Sequence, residues 1–247
     1  MTDITISVFS DIFEKIFSKN GLDKLVCDKN IEKFYKLTAL LTEANKKTNL
    51  TAINDTSEII LKHYADSLLA HDYFTAGSSV IDIGCGAGFP SLPLAIVNPG
   101  LSITALDSTG KKIDFVKEAA RKLDLNNIVA VCSRAEEYLN SEDKRESYDF
   151  ATARAVSRLN ILSELTLPYV KPGGSFIALK AKDGENELEE AKCAIEELGG
   201  NIISSKSLNL TSLSGEIAQR FLIHIKKSNP TPVKYPRTYA KIVKRPL

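Results

Sequence analysis

The sequence predicts an α/β fold: a Rossmann-like, mostly parallel seven-stranded sheet with one antiparallel strand, preceded by an N-terminal helical extension. Three observations carry this. From Ser79 onward, short β-branched runs alternate with amphipathic helical segments, a pattern that builds a parallel sheet covered on both faces. Before residue 76 the apolar residues recur only at helical spacing. The last two strand-like runs, residues 202–208 and 220–226, have no helix-length spacer between them. A parallel pair needs a long crossover, so one of these two has to run antiparallel.

Each element follows from local pattern. Phe9, Ile12, Phe13, Ile16 and Phe17, with Asp11, Glu14 and Lys15 between them, predict a first helix. Ile31, Phe34, Tyr35, Thr38 and Leu41 predict a second. A third opens at Asp55, with Glu58 three residues on as in a capping box, and runs through Ile59, Ile60, His63 and Ser67 to about Tyr73. Residues 80–83 are a buried strand entering a glycine loop. Residues 89–97 are a short helix whose Pro90 and Pro93 fall within its first turn or so. Strands at 101–106 and 128–132 flank a helix at 111–123. A fourth strand ends at 150–153 and a helix follows at 159–170. Lys171-Pro172-Gly173-Gly174 then turns the chain into a fifth strand at 176–179. The acidic helix at 185–198 stops at Gly199-Gly200. Residues 228–247, with Pro230, Pro232, Pro236 and Pro246, are expected to be extended. The expected division is a helical extension (1–75), a ligand-binding α/β domain (76–227) and a basic, proline-containing tail (228–247).

Composition narrows the function classes. The chain has 247 residues, 43% of them hydrophobic and 26% charged, as in ordinary globular proteins. No apolar run approaches the ~18 residues of a membrane span, and the start lacks the basic, continuously apolar signature of a secretory signal. Cys27, Cys85, Cys132 and Cys193 lie far apart with no CxxC, which argues against a disulfide scaffold or a zinc site. A cytoplasmic protein without a metal or a membrane partner is expected. The net charge of +1 hides an asymmetry: the last 31 residues carry eight Lys or Arg and no acid, so the rest carries −7. A neutral protein with a basic end suggests a local polyanion contact.

The chemistry concentrates in Val80-Ile-Asp-Ile-Gly-Cys-Gly-Ala-Gly-Phe-Pro90. Gly84, Gly86 and Gly88 lie between a strand and a helix, where backbone N–H groups face a ligand at the strand's carboxyl end. Asp107 ends the next strand, where an acid reaches a ribose diol. A dinucleotide loop would need glycine at 89, but the residue is Phe89. Asp82 would also repel a pyrophosphate. An acidic strand end beside a glycine loop instead suits a cofactor with a cationic amino-acid tail and no phosphate: S-adenosylmethionine (AdoMet).

The segment Asp82-Ile-Gly-Cys-Gly-Ala-Gly-Phe-Pro resembles the first motif of class I AdoMet-dependent methyltransferases. Further matches narrow the resemblance: Asn49-Leu50-Thr51-Ala52-Ile53, His63-x-x-Asp66-Ser67-Leu68, Asp107-Ser-x-x-Lys111-Lys112, Arg134-Ala135-Glu136, Arg154-Ala155-Val156, Lys180, and Tyr235-Pro236-Arg237 before Pro246-Leu247. Together they resemble the RsmG (GidB) family of 16S rRNA guanine-N7 methyltransferases. The resemblance implies methyl transfer from AdoMet to the guanine conventionally numbered 527, in the 530 loop of the small ribosomal subunit's RNA. It spans nearly the whole chain. Many members have Gly where this chain has Ser91, and Gly and Pro where it has Ala240 and Ile242.

Carried over, the resemblance implies cofactor contacts from Gly84, Gly86, Gly88 and Phe89 in the loop, and from Asp107, Ser108 and Thr109 at the ribose. Ala135 and Glu136 would flank the adenine, although Glu136 also sits where a helix N-terminus favours an acid. Arg154, at the end of the fourth strand, is a further implied cofactor contact, and Arg154 and Lys180, at the carboxyl ends of adjacent strands, are candidates for substrate positioning. Lys111, Lys112, Lys180, Arg237, Lys244 and Arg245 are candidate RNA contacts. His63 and Asp66, spaced i, i+3, equally suit a buried hydrogen-bonded pair. No Asn/Asp-Pro-Pro-Tyr/Phe follows the fourth strand, which disfavours amino-group methylation, and no cysteine lies nearby for C5 chemistry. Guanine N7 has an in-plane lone pair and no proton, so no acid–base catalyst is expected. The rival readings are a methyltransferase for another RNA or a small molecule, and a non-catalytic AdoMet-dependent RNA-binding or assembly factor on the same fold. A monomer is expected.

Overall fold

The computed structural model describes residues 4–140, 143–154 and 156–247. Residues 1–3 of the N-terminal reading and Ala155 of the Arg154–Val156 motif lie outside the described residues. Helix α1 (Ile6–Lys19) buries Phe9, Phe13, Ile16 and Phe17 against Ile31, Phe34, Leu37 and Leu41 of α2 (Asp28–Thr48). The Phe13 and Phe17 rings lie 3.8 Å apart, and Phe34 lies 4.8 Å from Tyr64.

The expected third helix is present but broken. Asp55 caps α3 (Thr56–Ile59), its Oδ1 accepting from the Glu58 N–H at 3.0 Å. The return half of the box does not form, because the Glu58 carboxylate pairs with Lys62 one turn on. A π-helical segment, Ile60–Ala65, follows, then α4 (Asp66–Leu68), the Asp66 N–H bonding the Leu61 carbonyl five residues back. Such wide turns are frequent at functional sites.

The sheet comprises β1 (Ser79–Ile83), β2 (Ser102–Asp107), β3 (Ile128–Cys132), β4 (Tyr148–Arg154), β5 (Val170–Lys180), β6 (Gly200–Thr211) and β7 (Ile217–Lys227), in the spatial order β3-β2-β1-β4-β5-β7-β6. β7 is antiparallel to both its neighbours, with Ile225 opposite Phe176 on one side and Ile202 on the other. The linking helices are α5 (Ser91–Val97), α6 (Gly110–Lys122), α7 (Ala135–Tyr138), α8 (Leu159–Thr166) and α9 (Gly184–Glu197). Two apolar clusters cover the two faces. One runs unbroken from Phe9 through Tyr64 and Phe89 to Ile113 and Leu222, so the N-terminal helices share a core with one sheet face. The other joins α8 and α9 to Phe176, Ile223 and Ile225.

Two expectations are corrected. The turn at residues 171–174 lies within β5 as a bulge: the register passes from Tyr148↔Val170 to Phe150↔Ser175. Gly174 is required there, since a Cβ would stand 2.5 Å from the Asp149 carbonyl oxygen. The C-terminal segment is not extended either. It forms α10 (Tyr239–Lys244) and buries Tyr235 and Ile242 in the second cluster. Its proline content hid these two apolar anchors. Among the described residues no helix is long and apolar enough to cross a membrane.

Candidate functional site

β1 pairs with β2 on one side and β4 on the other, so the chain reverses its direction of growth there and leaves a crevice at the strands' carboxyl ends. Two adjoining cavities of about 430 and 340 Å³ occupy it, sharing Gly84, Asp107 and Val156 in their walls. The larger is lined by Thr51, Lys62, His63, Asp66, Gly86, Phe89, Lys112 and Arg154 among others. The smaller adds Leu106, Ser108, Arg134, Ala135, Glu136, Leu165 and Tyr239.

The glycine loop works by conformation. Gly84 and Gly86 have φ of +72° and +59°, a region costly for residues with a Cβ. A Cβ on Gly84 would also stand 2.7 Å from Val156 Cγ2. Gly88 lines neither cavity; it faces Leu92 and Val116, and its small size serves packing. Asp82 is fully buried beneath the loop, so it does not face the crevice as its position in the sequence suggested. Its Oδ2 accepts from the Ser91 hydroxyl at 2.5 Å and its Oδ1 has no partner. Burial pushes this carboxyl up to about 7, with the Ser91 hydrogen bond opposing the shift.

Asp107 holds the junction of the two cavities. Its Oδ2 accepts from the Gly86 N–H at 3.0 Å and its Oδ1 from the Thr109 N–H at 2.8 Å. A carboxylate accepts about four hydrogen bonds, so capacity remains on both oxygens. Thr109 lines neither cavity and contributes its backbone to this brace.

His63 and Asp66 are not bonded to each other. Asp66 bridges two arginines, Oδ2 to Arg154 at 3.0 Å and Oδ1 to Arg220 at 2.7 Å. Arg154 also donates to the Lys62 carbonyl at 2.6 Å and lies 5.7 Å from the Phe89 ring centroid. His63 is pushed down to about 3 by burial, with Arg154 adding to the shift, and is therefore neutral. Arg154 approaches His63 Nδ1 at 3.5 Å and a guanidinium only donates, which assigns the ring proton to Nε2. That Nε2–H donates to Thr51 Oγ1 at 3.0 Å, and Thr51 Oγ1 also accepts from the Ile53 N–H at 3.1 Å.

Several expected cations are engaged within the protein. Lys180 is buried, donating to the Ser157 carbonyl and pairing with Glu187 at 2.6 Å. Lys111 donates to the Thr48 carbonyl at the end of α2. Arg237 is bound to the fully buried Glu164. Lys112 remains in the cavity wall, and Lys244 and Arg245 are exposed. Sequence reasoning missed Lys62, Arg220, Val156, Leu165 and Tyr239 as parts of the site. Arg220 lies 154 residues from its partner Asp66, and no local pattern announces it.

The family described as rRNA small subunit methyltransferase G matches residues 30–214. The chain belongs to that family. A curated rRNA small subunit methyltransferase G from Staphylococcus saprophyticus is 45% identical over 232 residues, covering 93% of this chain and 95% of its own. That of Staphylococcus epidermidis is 48% identical over 218 residues, covering 87% and 90%. Among solved structures, a SAM-dependent methyltransferase from Methanosarcina mazei superposes with a TM-score of 0.51 at 19% identity, over 65% of this chain and 97% of that one. That likeness concerns the class I methyltransferase fold alone.

Proposed function

We propose that this member of the rRNA small subunit methyltransferase G family transfers the methyl group of AdoMet to N7 of a guanine in 16S rRNA, at position 527 of the 530 loop. The observation that carries the reading is the pair of cavities meeting at Asp107 and Gly84. The residues fit a nucleoside-bearing sulfonium cofactor. The smaller cavity offers apolar Leu106, Ala135 and Leu165 for a purine, and Asp107 keeps acceptor capacity for two ribose hydroxyls. The larger, walled by Phe89, His63 and Arg154, is the place for the reactive end and the target base.

When bound, AdoMet supplies an electrophilic methyl group on a positively charged sulfur. The protein's own part is alignment. Guanine N7 presents a lone pair and carries no proton, so no side chain has to take one. Holding two reactants in line can lower a barrier by ~7–11 kcal/mol without any base. The neutral His63 and the arginines locked on Asp66 agree with a site that positions rather than titrates. Lys112, Lys244 and Arg245 are the cations best placed to meet RNA phosphates. The helical extension (1–75) serves the AdoMet-binding domain (76–227) by forming one wall of the larger cavity through Thr51, Lys62 and His63, and residues 228–247 form the basic C-terminal segment. The chain acts as a monomer in the cytoplasm.

The test is incubation of the purified protein with methyl-labelled AdoMet and unmodified 16S rRNA or small subunits, with N7-alkylated guanine mapped by chain cleavage. Label at the 530-loop guanine is expected. Label at another site or atom, or AdoMet binding without transfer, overturns the assignment.

A further inference from the structure

The C-terminal segment was expected to be a basic arm for RNA, yet it is fastened to the body at several points. The Arg237 backbone N–H, Nε and Nη2 all donate to the carboxylate of Glu164, at 2.8, 2.9 and 2.5 Å. Glu164 is wholly inaccessible to solvent. Arg237 Nη1 reaches the Arg245 carbonyl at 3.0 Å, which closes the segment on itself around α10. Upstream, Arg145 donates to the carbonyls of Tyr235 and Thr231, both at 2.8 Å, and the Tyr235 hydroxyl donates to Glu197 at 2.5 Å. Ile242 is completely buried among the α8 leucines' cluster.

This fastening sets one residue in place. Tyr239, the first residue of α10, lies in the wall of the smaller cavity, which Ala135, Glu136 and Leu165 also line. Leu165 follows Glu164 directly on α8, so the anchor and the cavity wall are neighbours. The Arg134 guanidinium lies 5.4 Å from the Tyr239 ring centroid. Tyr239 is 39% exposed, leaving aromatic surface open beside a slot whose apolar wall is Ile83, Leu106, Ala135 and Leu165.

We propose that Tyr239 is a cofactor-binding residue whose ring covers the purine of AdoMet, and that the C-terminal segment is a clasp for the nucleoside rather than an RNA arm alone. The inference rests on reading the smaller cavity as the nucleoside site. Purines stack on aromatic side chains regardless of their edge groups, and a cation beside the ring strengthens the contact. The basic end and the cofactor site are thereby one folded unit.

The experiment is calorimetric titration of the full-length protein with S-adenosylhomocysteine, which shares the nucleoside and is not consumed. Tyr239→Ala is expected to weaken binding about tenfold, in line with one lost base–aromatic contact. Tyr239→Phe keeps the ring and is expected to bind within about twofold of wild type. Asp107→Ala serves as the control for the site itself. Wild-type affinity in Tyr239→Ala with weakened binding in Asp107→Ala overturns the clasp and leaves the nucleoside site standing. Wild-type affinity in both overturns the clasp and the site together. Equal losses in the Ala and Phe variants overturn the stacking role.

Discussion

His63 lies flat on Phe89, ring centroids 4.4 Å apart and planes 3° from parallel. The contact joins the π-helical turn of the N-terminal helices to the glycine loop, so the extension and the sheet share one wall of the larger cavity. An imidazole buried against a phenyl ring and facing an arginine is costly to protonate, and its ordinary value near 6.5 drops to about 3.

A pH dependence of stability follows from that stack. Between pH 6.5 and about 3 the unfolded chain protonates His63 and the folded one does not. Stability from this group is therefore complete above pH 6.5 and is lost as the pH falls below it, at no more than ~1.4 kcal/mol per unit. Urea unfolding between pH 7.5 and 5 is expected to show this decline, and His63→Phe, which keeps the stack, to show less of it. Identical slopes in the two proteins would contradict the neutral ring.

Asp82 has the opposite sign. Its carboxyl, raised to about 7, holds a proton in the folded state that the unfolded chain releases near 4. This group stabilises most at acid pH, and the contribution is lost as pH rises through about 7. Ser91→Gly removes the hydroxyl that donates to Oδ2, while Oδ1 has no partner already. The expected cost is about 1–3 kcal/mol, larger at pH 8 than at pH 5. A penalty independent of pH would show that Ser91 does not act through the charged carboxylate.

Gly84 and Gly86 separate steric crowding from backbone strain. Both have positive φ, but only a Cβ on Gly84 meets Val156. Gly84→Ala is expected to lower AdoMet affinity more than Gly86→Ala, and Val156→Ala in the Gly84→Ala background to restore part of it. Calorimetry on the four proteins decides. No recovery in the double variant would mean that Val156 gives way freely.

Salt dependence distinguishes the free C-terminal cations from the pinned one. With Lys244 and Arg245 exposed, changing both to Gln is expected to flatten the log K versus log salt plot for RNA by about 1.4, at ~0.7 per phosphate contact. Adding Arg237→Gln is expected to flatten it no further. It would instead destabilise the protein by about 3–5 kcal/mol, because Glu164 is left as an unpaired buried charge. A further change in slope with unchanged stability would return Arg237 to the RNA.

Much of the fold was legible because its signals are local. The β-branched runs, the glycine loop and the stripes Phe9–Phe13–Phe17 and Ile31–Phe34–Leu41 each report burial through spacing alone, and the missing spacer between the last two strands announced an antiparallel pair. The boundaries moved where tertiary contacts override propensity. The bulge at residues 171–174 is held by the ladder between β4 and β5, and the third helix widens into a π turn around His63.

By itself, the sequence determined the strand order's raw material, the glycine loop's position, the acid at the end of the second strand and the family, all of which depend on residues close together along the chain. Tertiary structure decided which charges are free. Lys180, Lys111 and Arg237 look alike as basic residues near functional motifs, but each is bound to an acceptor on another segment of the fold: Glu187 and Ser157, Thr48, and Glu164. It likewise decided that Asp82 lies beneath the loop rather than in the crevice, and that Tyr239 lines the same cavity as Glu136, 103 residues before it in the chain. A charge's availability depends on who else reaches it, and long-range pairing leaves no periodic trace in the chain.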